Sequence, residues 1–263
     1  VEALVLASGS SGNAVVVRSG ENTLLVDVGV SARQIRRRME QFGVSPDELD
    51  AVVLTHEHSD HVRGLEVFSR RYPLPVWASS GTWSRLRVRT SSGGELRSGS
   101  PIHVGCLRVL PVSTSHDAAD PVAFLVDDGD HRLALCTDTG VVTHLLEQRL
   151  RDSEVLLIEA NHDADMLRHG PYPWPLKQRI ASRLGHLANH QTEEALSRIG
   201  TGSLKAVVGM HLSEQNNRPD LVIDSLGGAA GSCPVVDVVT RWEMLRITVN
   251  GDSVTTNHRE LPR

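Results

Sequence analysis

The chain has 263 residues, of which 40% are hydrophobic and 22% charged, the composition of a globular protein that can bury a sizeable core. Its formal net charge of −5 excludes a polycation that binds nucleic acid through bulk charge, so affinity for phosphate must come from local patches or bound metal. Three scattered cysteines, Cys106, Cys136 and Cys233, exclude a disulfide framework and suit a reducing compartment. No apolar run approaches the roughly 18 residues of a membrane span, and no signal-like leader precedes the first strand, so the expected location is the cytoplasm with no membrane partner.

Val5-Leu6-Ala7 belongs to a first strand that runs into the turn-rich Ser8-Gly9-Ser10-Ser11-Gly12-Asn13. Strands are predicted over 14–18 and 23–26, turned by Gly20-Glu21-Asn22, and the second ends at Asp27. Ala32, Ile35, Met39 and Phe42 share one face of a helix over 32–42. A β-branched run over 51–55 then delivers Thr55-His56-Glu57-His58-Ser59-Asp60-His61, and helical periodicity resumes at Val62, Leu65 and Phe68. Strands follow over 76–78, 107–112, 122–126 and 133–137, the last ending at Asp138, and a helix covers 142–150. A strand over 154–159 ends in Asn161-His162-Asp163. Past the break at Pro171-Tyr172-Pro173-Trp174-Pro175, Pro175 suits the first turn of a helix reaching 184. Asn189 is expected to cap a helix through 199. A strand over 204–210 ends at His211, a helix covers 219–226, and the small residues of 227–231 read as a loop. Strands over 235–240 and 245–249 read as a closing hairpin. No composition break or repeat divides the chain, so a single domain over 1–263 is expected.

The stretch from His56 to His61 packs three imidazoles and two carboxylates into six residues. Alternate histidines can reach one ion while the Asp60-His61 pair turns to a second. Imidazole suits Zn, Mn, Fe and Co, and carboxylate oxygen adds charge and hardness. A solvated polar loop with chance histidines is the bland alternative, and it leaves the preceding buried-type strand unexplained. His116, Asp138 and His211 each follow an apolar run, where α/β sheets present functional groups. Singly, a strand-end histidine is more often a surface group and an aspartate more often a turn former. Together with the cluster they complete two coordination shells.

Asp27, the His56–His61 motif, His116, Asp138 and His211 occur in the order of the five motifs of the metallo-β-lactamase superfamily, which the chain resembles over almost its whole length. The resemblance implies an α/β fold, a four-layer αββα sandwich with a two-metal site at one edge. By the same resemblance His56, His58 and His116 hold one divalent ion, and Asp60, His61 and His211 hold the other. Asp138 bridges both, and Asp27 lies behind them, receiving a ligand N–H or orienting the loop. The nearer resemblance is to the YycJ/WalJ-type branch. It rests on the segment from Leu6 to Asn13, on Glu159-Ala160-Asn161-His162-Asp163, on Gly185-His186-Leu187-Ala188-Asn189, and on His211-Leu212-Ser213 with Asn216-Asn217. Asn161 and His162 are expected behind the ligands. That branch is associated with nuclease activity, including exonuclease action on double-stranded DNA. Its third pattern usually reads HLSN, and Ala188 stands here in place of the serine.

Two metals about 3.5–4 Å apart can share a water, lower its pKa and polarise the bond to be cut. This suits phosphodiesters, thioesters, esters and amides alike, and the fold does not choose among them. The lactam-cleaving enzymes commonly place sulfur on the second metal, whereas Asp138 offers oxygen, which favours phosphate chemistry or glyoxalase-type thioester cleavage. Cys136, two residues earlier, reads as core. Asp60 is a candidate for both ligand and holder of the nucleophile. The general acid is sought among His162, His186 and His190, with His186 preferred. Ser8, Ser10, Ser11 and Asn13 are expected to offer hydroxyls and N–H groups to a phosphate, although a Ser/Gly turn is usually only a turn. Arg33, Arg36, Arg37 and Arg38 read as a solvated helix face; Arg85, Arg87 and Arg89 are favoured over them for phosphate contact. The leading expectation is a hydrolase with two divalent ions, Zn or Mn with Fe also fitting, that cuts DNA as an exonuclease-like phosphodiesterase. The alternatives are a glyoxalase-like thioester hydrolase and a non-enzymatic metal-binding regulatory protein.

Overall fold

Period-two alternation in the strands decides how the layers stack. The structure, a computed structural model, describes residues 1–88, 90, 92–200 and 202–261. Strands β1 (Glu2–Ala7), β2 (Ala14–Ser19), β3 (Asn22–Val26), β4 (Ala51–Val53), β5 (Val76–Ser79) and β6 (Gly93–Leu96) form one sheet. The second contains β7 (Ile102–Val104), β8 (Leu107–Ser113), β9 (Val122–Asp127), β10 (Arg132–Cys136), β11 (Val155–Glu159), β12 (Ala206–Met210) and β13 (Val235–Val238). Two last strands, β14 (Glu243–Asn250) and β15 (Ser253–Glu260), return to the first sheet. The strand orders are β15-β14-β1-β2-β3-β4-β5-β6 and β13-β12-β11-β10-β9-β8-β7.

Leu24 and Val26 of β3 share the core between the sheets with Val155 and Leu157 of β11. The alternate residue Leu25 packs outward with Ile35 and Met39 of α1 (Ala32–Gln41) and with Phe68, which lies in α3 (Leu65–Arg71) beyond the short α2 (Ser59–Val62). On the opposite side Leu156 and Ile158 pack with Leu146 of α5 (His144–Leu150), Leu196 of α8 (Asn189–Ile199) and Leu226 of α9 (Pro219–Ala229). The result is helix, sheet, sheet, helix. The remaining helices are α4 (Ser80–Arg85), α6 (Ala164–His169) and α7 (Trp174–Ile180). No helix among the described residues is long and apolar enough to cross a membrane.

Strands β3 to β6 are mutually parallel, as are β10 to β13. Strand β8 lies two antiparallel steps from β10 and therefore runs the same way. The carboxyl ends of β3, β4, β8, β10, β11 and β12 thus collect at one edge, and every residue of the His/Asp pattern follows one of these ends.

Several local expectations are corrected. The closing hairpin over 235–240 and 245–249 does not form, because the α9 crossover lays β13 parallel to β12 while β14 crosses to pair with β1 and β15. Gly227 and Gly228 continue α9 rather than forming a loop, held by the buried Val222 and Leu226 below them. Helix α7 stops at Ile180, whose carbonyl accepts from His186 N at 2.9 Å and turns the chain back. The short strands β6 and β7, the helices α4 and α6, and the largely exposed β15 carry too little apolar periodicity to be anticipated.

Asn189 is the first residue inside α8 rather than its cap. Ala188 occupies the cap with extended geometry, φ −74 and ψ 157. Gln191 Oε1 accepts from Ala188 N at 2.8 Å, so the returning half of a capping box is present and the side-chain acceptor is missing. Ala188→Ser should supply it and stabilise the fold by roughly 0.5–2 kcal/mol. A rise in melting temperature of about 2–4 °C per kcal/mol is expected for a chain of this size. An unchanged or lower midpoint would show that the hydroxyl finds no room at this buried cap.

Candidate metal centre

Three non-glycine residues have positive φ among the described residues: Asp27 (φ 61), Asp138 (φ 55) and His211 (φ 58). All three sit just past the ends of β3, β10 and β12. This left-handed backbone is uncommon outside glycine and costs on the order of 1–3 kcal/mol per residue, a pattern that clusters at functional sites. The turn at Asp27 also brings Gly29 under the cluster, where an added Cβ would lie 1.7 Å from Asp60 O. No side chain fits there.

The first donor group is His56, His58 and His116. His58 Nδ1 lies 3.0 Å from His56 Nε2 and 3.2 Å from His116 Nε2. Two of the three outward nitrogens are engaged: His116 Nδ1 donates to Gly185 O at 3.0 Å, and His56 Nδ1 lies 3.1 Å from Thr55 Oγ1. Those bonds set the tautomers that turn the lone pairs inward.

Asp60, His61, Asp138 and His211 form the second group. Asp60 Oδ2 is 3.5 Å from both His61 Nε2 and His211 Nε2. Asp138 faces both groups, with Oδ2 3.1 Å from His61 Nε2 and Oδ1 3.9 Å from His116 Nε2. Behind His61, Asp27 Oδ2 accepts from Nδ1 at 2.7 Å and from the Thr55 hydroxyl at 2.8 Å, while its Oδ1 accepts from Thr55 N. Behind His211, Glu159 Oε1 accepts from Nδ1 at 2.9 Å and also from His186 Nδ1 at 2.8 Å. Its Oε2 accepts from Thr139 N and Leu187 N.

The profile of the beta-lactamase superfamily domain matches residues 22–212. The chain is 36% identical over 222 residues to exodeoxyribonuclease YycJ of Bacillus anthracis, covering 82% of this chain and 84% of that protein. It is 37% identical over 225 residues to exodeoxyribonuclease WalJ of Streptococcus pneumoniae, with coverage of 82% and 83%. The chain belongs to the beta-lactamase superfamily. Solved structures share the fold: YhfI of Bacillus subtilis has a TM-score of 0.71 at 19% identity, over 91% of this chain and 97% of that one. Zn²⁺-bound PqqB from Methylobacterium extorquens has a TM-score of 0.67 at 19% identity, over 92% and 98%. The protein is a metal-dependent hydrolase of this superfamily.

Its donor set fits divalent cations. Asp138 Oδ2 and His211 Nε2 are buried and make no hydrogen bond. With Nδ1–H given to Asp27, neutral His61 turns a lone pair toward Asp138 Oδ2, and two facing acceptors need a cation between them. The titration of the cluster expresses the same demand. Burial opposes charge on His211, but the carboxylates of Asp138, Asp60 and Glu159, the last accepting from Nδ1, outweigh it and lift the pKa to about 10. Burial likewise opposes charge on His61, and Asp138 and Asp27 outweigh it in the same direction. Burial works against the ionised forms of Asp60 and Asp138, yet the neighbouring imidazoles hold both below the usual carboxylate range.

The residues of the superfamily pattern come together in the two donor groups, but the other expected residues divide. Of Ser8, Ser10, Ser11 and Asn13, Ser10 alone lines the cavity of about 310 Å³ that contains His58, Asp60, His116 and His211. The Ser8 hydroxyl accepts from His211 N at 2.8 Å, and Asn13 Nδ2 lies 3.4 Å from Asp60 Oδ2 and 3.1 Å from His61 Nε2. Both therefore support the ligands, and Ser11 faces a different cavity. Asn161 donates to His211 O at 2.8 Å. His162 is buried, which pushes its pKa down to about 4. It lines a separate cavity with the exposed His190, so His186 is the one of the three acid candidates beside the donors. Cys136 is buried in the outer core and its thiol is pushed up by burial. Arg85 and Arg87 are exposed and away from the donors, and Arg89 lies outside the described residues.

Two contributors escape the motif reading. Arg179, whose Nε donates to Asp117 Oδ2 at 2.6 Å, is the one arginine or lysine among the described residues lining the donor cavity. It comes from α7, where only spatial proximity marks it out. Glu159 ends the fully buried β11, the same position after an apolar run that flagged Asp138, and that signal was enough to find it. Glu159 takes four N–H donors on two oxygens, and glutamine has one acceptor oxygen. Glu159→Gln should therefore release the tautomers of His186 and His211 and lower metal affinity about 10–100-fold. Competition against a chromophoric chelator measures this, and a wild-type dissociation constant would remove Glu159 from the ligand support.

Proposed function

We propose that the protein is a two-metal phosphodiesterase that acts on DNA as an exonuclease. The observation that carries this reading is the pair of donor groups in one open cavity beside the Arg179 guanidinium, with Asp138 of the second group 3.9 Å from His116 of the first. Four carboxylates, Asp27, Asp60, Asp138 and Glu159, gather around the histidines. Their formal charge of 4 × (−1) = −4 is balanced by two divalent ions, 2 × (+2) = +4. Support also comes from the relatives named exodeoxyribonucleases at 36–37% identity. The three cysteines are free, which suits assignment to the reducing cytoplasm. One domain over 1–263 goes with this reading, because the inter-sheet core draws on both ends of the chain.

His56, His58 and His116 would hold one ion, and Asp60, His61 and His211 the other, with Asp138 between them. Bound there, such ions supply an activated water and polarise the phosphoryl oxygen, and Zn and Mn both suit the ligands. The chain's own groups do the rest. Arg179, steadied by Asp117, offers a planar fork to a phosphate oxygen. Asp60 is positioned to orient the attacking water. Glu159 fixes Nδ1 of His186, leaving Nε2 to give a proton to the departing oxygen in the cavity that His186 lines.

Purified protein loaded with Mn²⁺ or Zn²⁺ should hydrolyse DNA and bis-p-nitrophenyl phosphate, and chelation or Asp138→Ala should abolish both. Duplex DNA, single-stranded DNA and a glutathione thioester belong in the same panel. Turnover of the thioester alone would replace this reading with a glyoxalase-like one. No turnover at full metal occupancy would point to a regulatory protein.

The proton-donor role makes its own prediction. His186→Gln should lower kcat on DNA by about 10²–10⁴-fold while sparing bis-p-nitrophenyl phosphate, whose nitrophenolate leaves without a proton. Equal losses on both substrates would assign His186 to metal support instead.

A further inference from the structure

On the far side of the Ser8–Asn13 loop from the donor cavity lies a second cavity of about 420 Å³. Arg38, Arg63 and Arg241 line it together with Trp242, Ser8 and Ser11, and no aspartate or glutamate does. The three arginines come from α1, the end of α2 and the link between β13 and β14, so only the fold assembles them. Arg38 Nη1 donates to Leu6 O at 2.9 Å. Arg63 Nη2 donates to Ser11 O and to Gly29 O, the latter at 3.1 Å. Among the described residues no carboxylate stands at ion-pair distance from either guanidinium. Arg241 pairs with Glu214 and stacks over the Trp242 ring with its Cζ 4.4 Å from the centroid.

Arg38 and Arg63, each anchored by backbone carbonyls, line one cavity, and among the described residues neither guanidinium has a counter-charge. In a chain of net charge −5 this arrangement is conspicuous. An anion in the cavity would supply that counter-charge, and a phosphate matches the planar forks best. Trp242 is 40% exposed and adds an aromatic face, the surface on which nucleic-acid bases stack without regard to sequence. The loop that divides the two cavities sends Ser10 to the donors and Ser11 to the arginines. Arg63 follows His61 by two residues, so the arginine cavity is built on the back of the donor-bearing helix α2.

We propose that this cavity is a second phosphate subsite, which holds a backbone phosphate of the nucleic-acid strand some nucleotides away from the bond that is cut, with an adjoining base against Trp242. The proposal rests on the nuclease reading above and adds where the substrate strand runs. It also reverses the sequence expectation that Arg38 belongs to a merely solvated face.

The test is equilibrium binding of a fluorescein-labelled, hydrolysis-resistant phosphorothioate oligonucleotide to the metal-loaded protein across a salt series. Arg38→Gln should weaken binding about tenfold. It should also reduce the magnitude of the log-affinity against log-salt slope by about 0.7 for a single strand or 0.9 for a duplex. Arg38→Lys should restore the slope. Trp242→Ala, at a part-exposed position that does not threaten the fold, should weaken single-strand binding about tenfold without changing the slope. Wild-type affinity and slope in variants with wild-type melting temperatures would overturn the subsite. Calorimetric titration with inorganic phosphate separates the two readings. If the wild type binds no oligonucleotide yet loses phosphate binding on Arg38→Gln, the nuclease reading fails and the cavity serves a different anion. If oligonucleotides bind but neither probe responds to Arg38→Gln, only the subsite fails.

Discussion

Inward-facing lone pairs are the constraint on which the rest of the structure depends. His58 Nδ1 lies 3.0 Å from His56 Nε2 and 3.2 Å from His116 Nε2, and His61 Nε2 meets Asp138 Oδ2 at 3.1 Å. Unprotonated, such atoms repel one another, and His56, His116 and His61 are held against that repulsion from behind. The backbone carbonyl of Gly185, the Thr55 hydroxyl, Asp27 and Glu159 each take the opposite ring nitrogen of a ligand or of its neighbour. A cation would turn the repulsion into attraction, and the support would then act as preorganisation: the bonds to the far ring nitrogens stay in place, and the inward contact given up is that of Asn13 Nδ2 to His61 Nε2.

Such convergence needs rigid delivery from many directions, and the two parallel sheet segments provide it. Their carboxyl ends meet at one edge, and the left-handed backbone at Asp27, Asp138 and His211 bends each chain sharply where it leaves the strand. A gentler exit would carry those side chains past the site. The strain, on the order of a few kcal/mol in total, is borne by strands whose residues are almost wholly buried. The loop Ser8–Asn13 does the equivalent work from the first sheet. Ser8 fixes the backbone of His211, and Asn13 reaches Asp60 and His61, so the N-terminal loop clamps donors that lie some 50 and 200 residues away in sequence.

Legibility in the sequence followed the same physics. The strands could be read because continuous apolar runs such as Leu24-Leu25-Val26 suit a strand buried on both faces, whereas the four layers followed only from the family resemblance. The donors could be read because polar residues that end apolar strands, such as Asp138 after Leu135-Cys136, have few structural reasons to be there. What could not be read is what depends on pairing between distant segments. Val235–Val238 looks the same whether it pairs with β14 or with β12, and the crossover helix decides. Ser8 looks like a phosphate-loop hydroxyl until His211 N is seen to occupy it. Arg179 and Arg38 carry no local mark, since an arginine on a polar helix face is ordinary until the opposite wall of its cavity is known.

The two donor groups are unequal, and that inequality explains why an oxygen stands between them. The first group is three imidazoles whose outer partners include a neutral carbonyl and a hydroxyl. The second contains Asp60 and Asp138 and is backed by the carboxylates of Asp27 and Glu159. At the first group's end the Asp117 carboxylate, 3.4 Å from His116 Nε2, is paired with Arg179, so unpaired negative charge is concentrated at the other end. A thiolate at position 138 would add softness where two hard oxygens already surround the imidazoles. The carboxylate instead has two oxygens, one turned to each group, and so spreads its charge toward the three imidazoles. Cys136, only two residues away, is kept out of this by the regular strand: its side chain packs into the outer core beneath α5 and α8, and the left-handed turn at Asp138 lifts the next polar group over the sheet edge into the site.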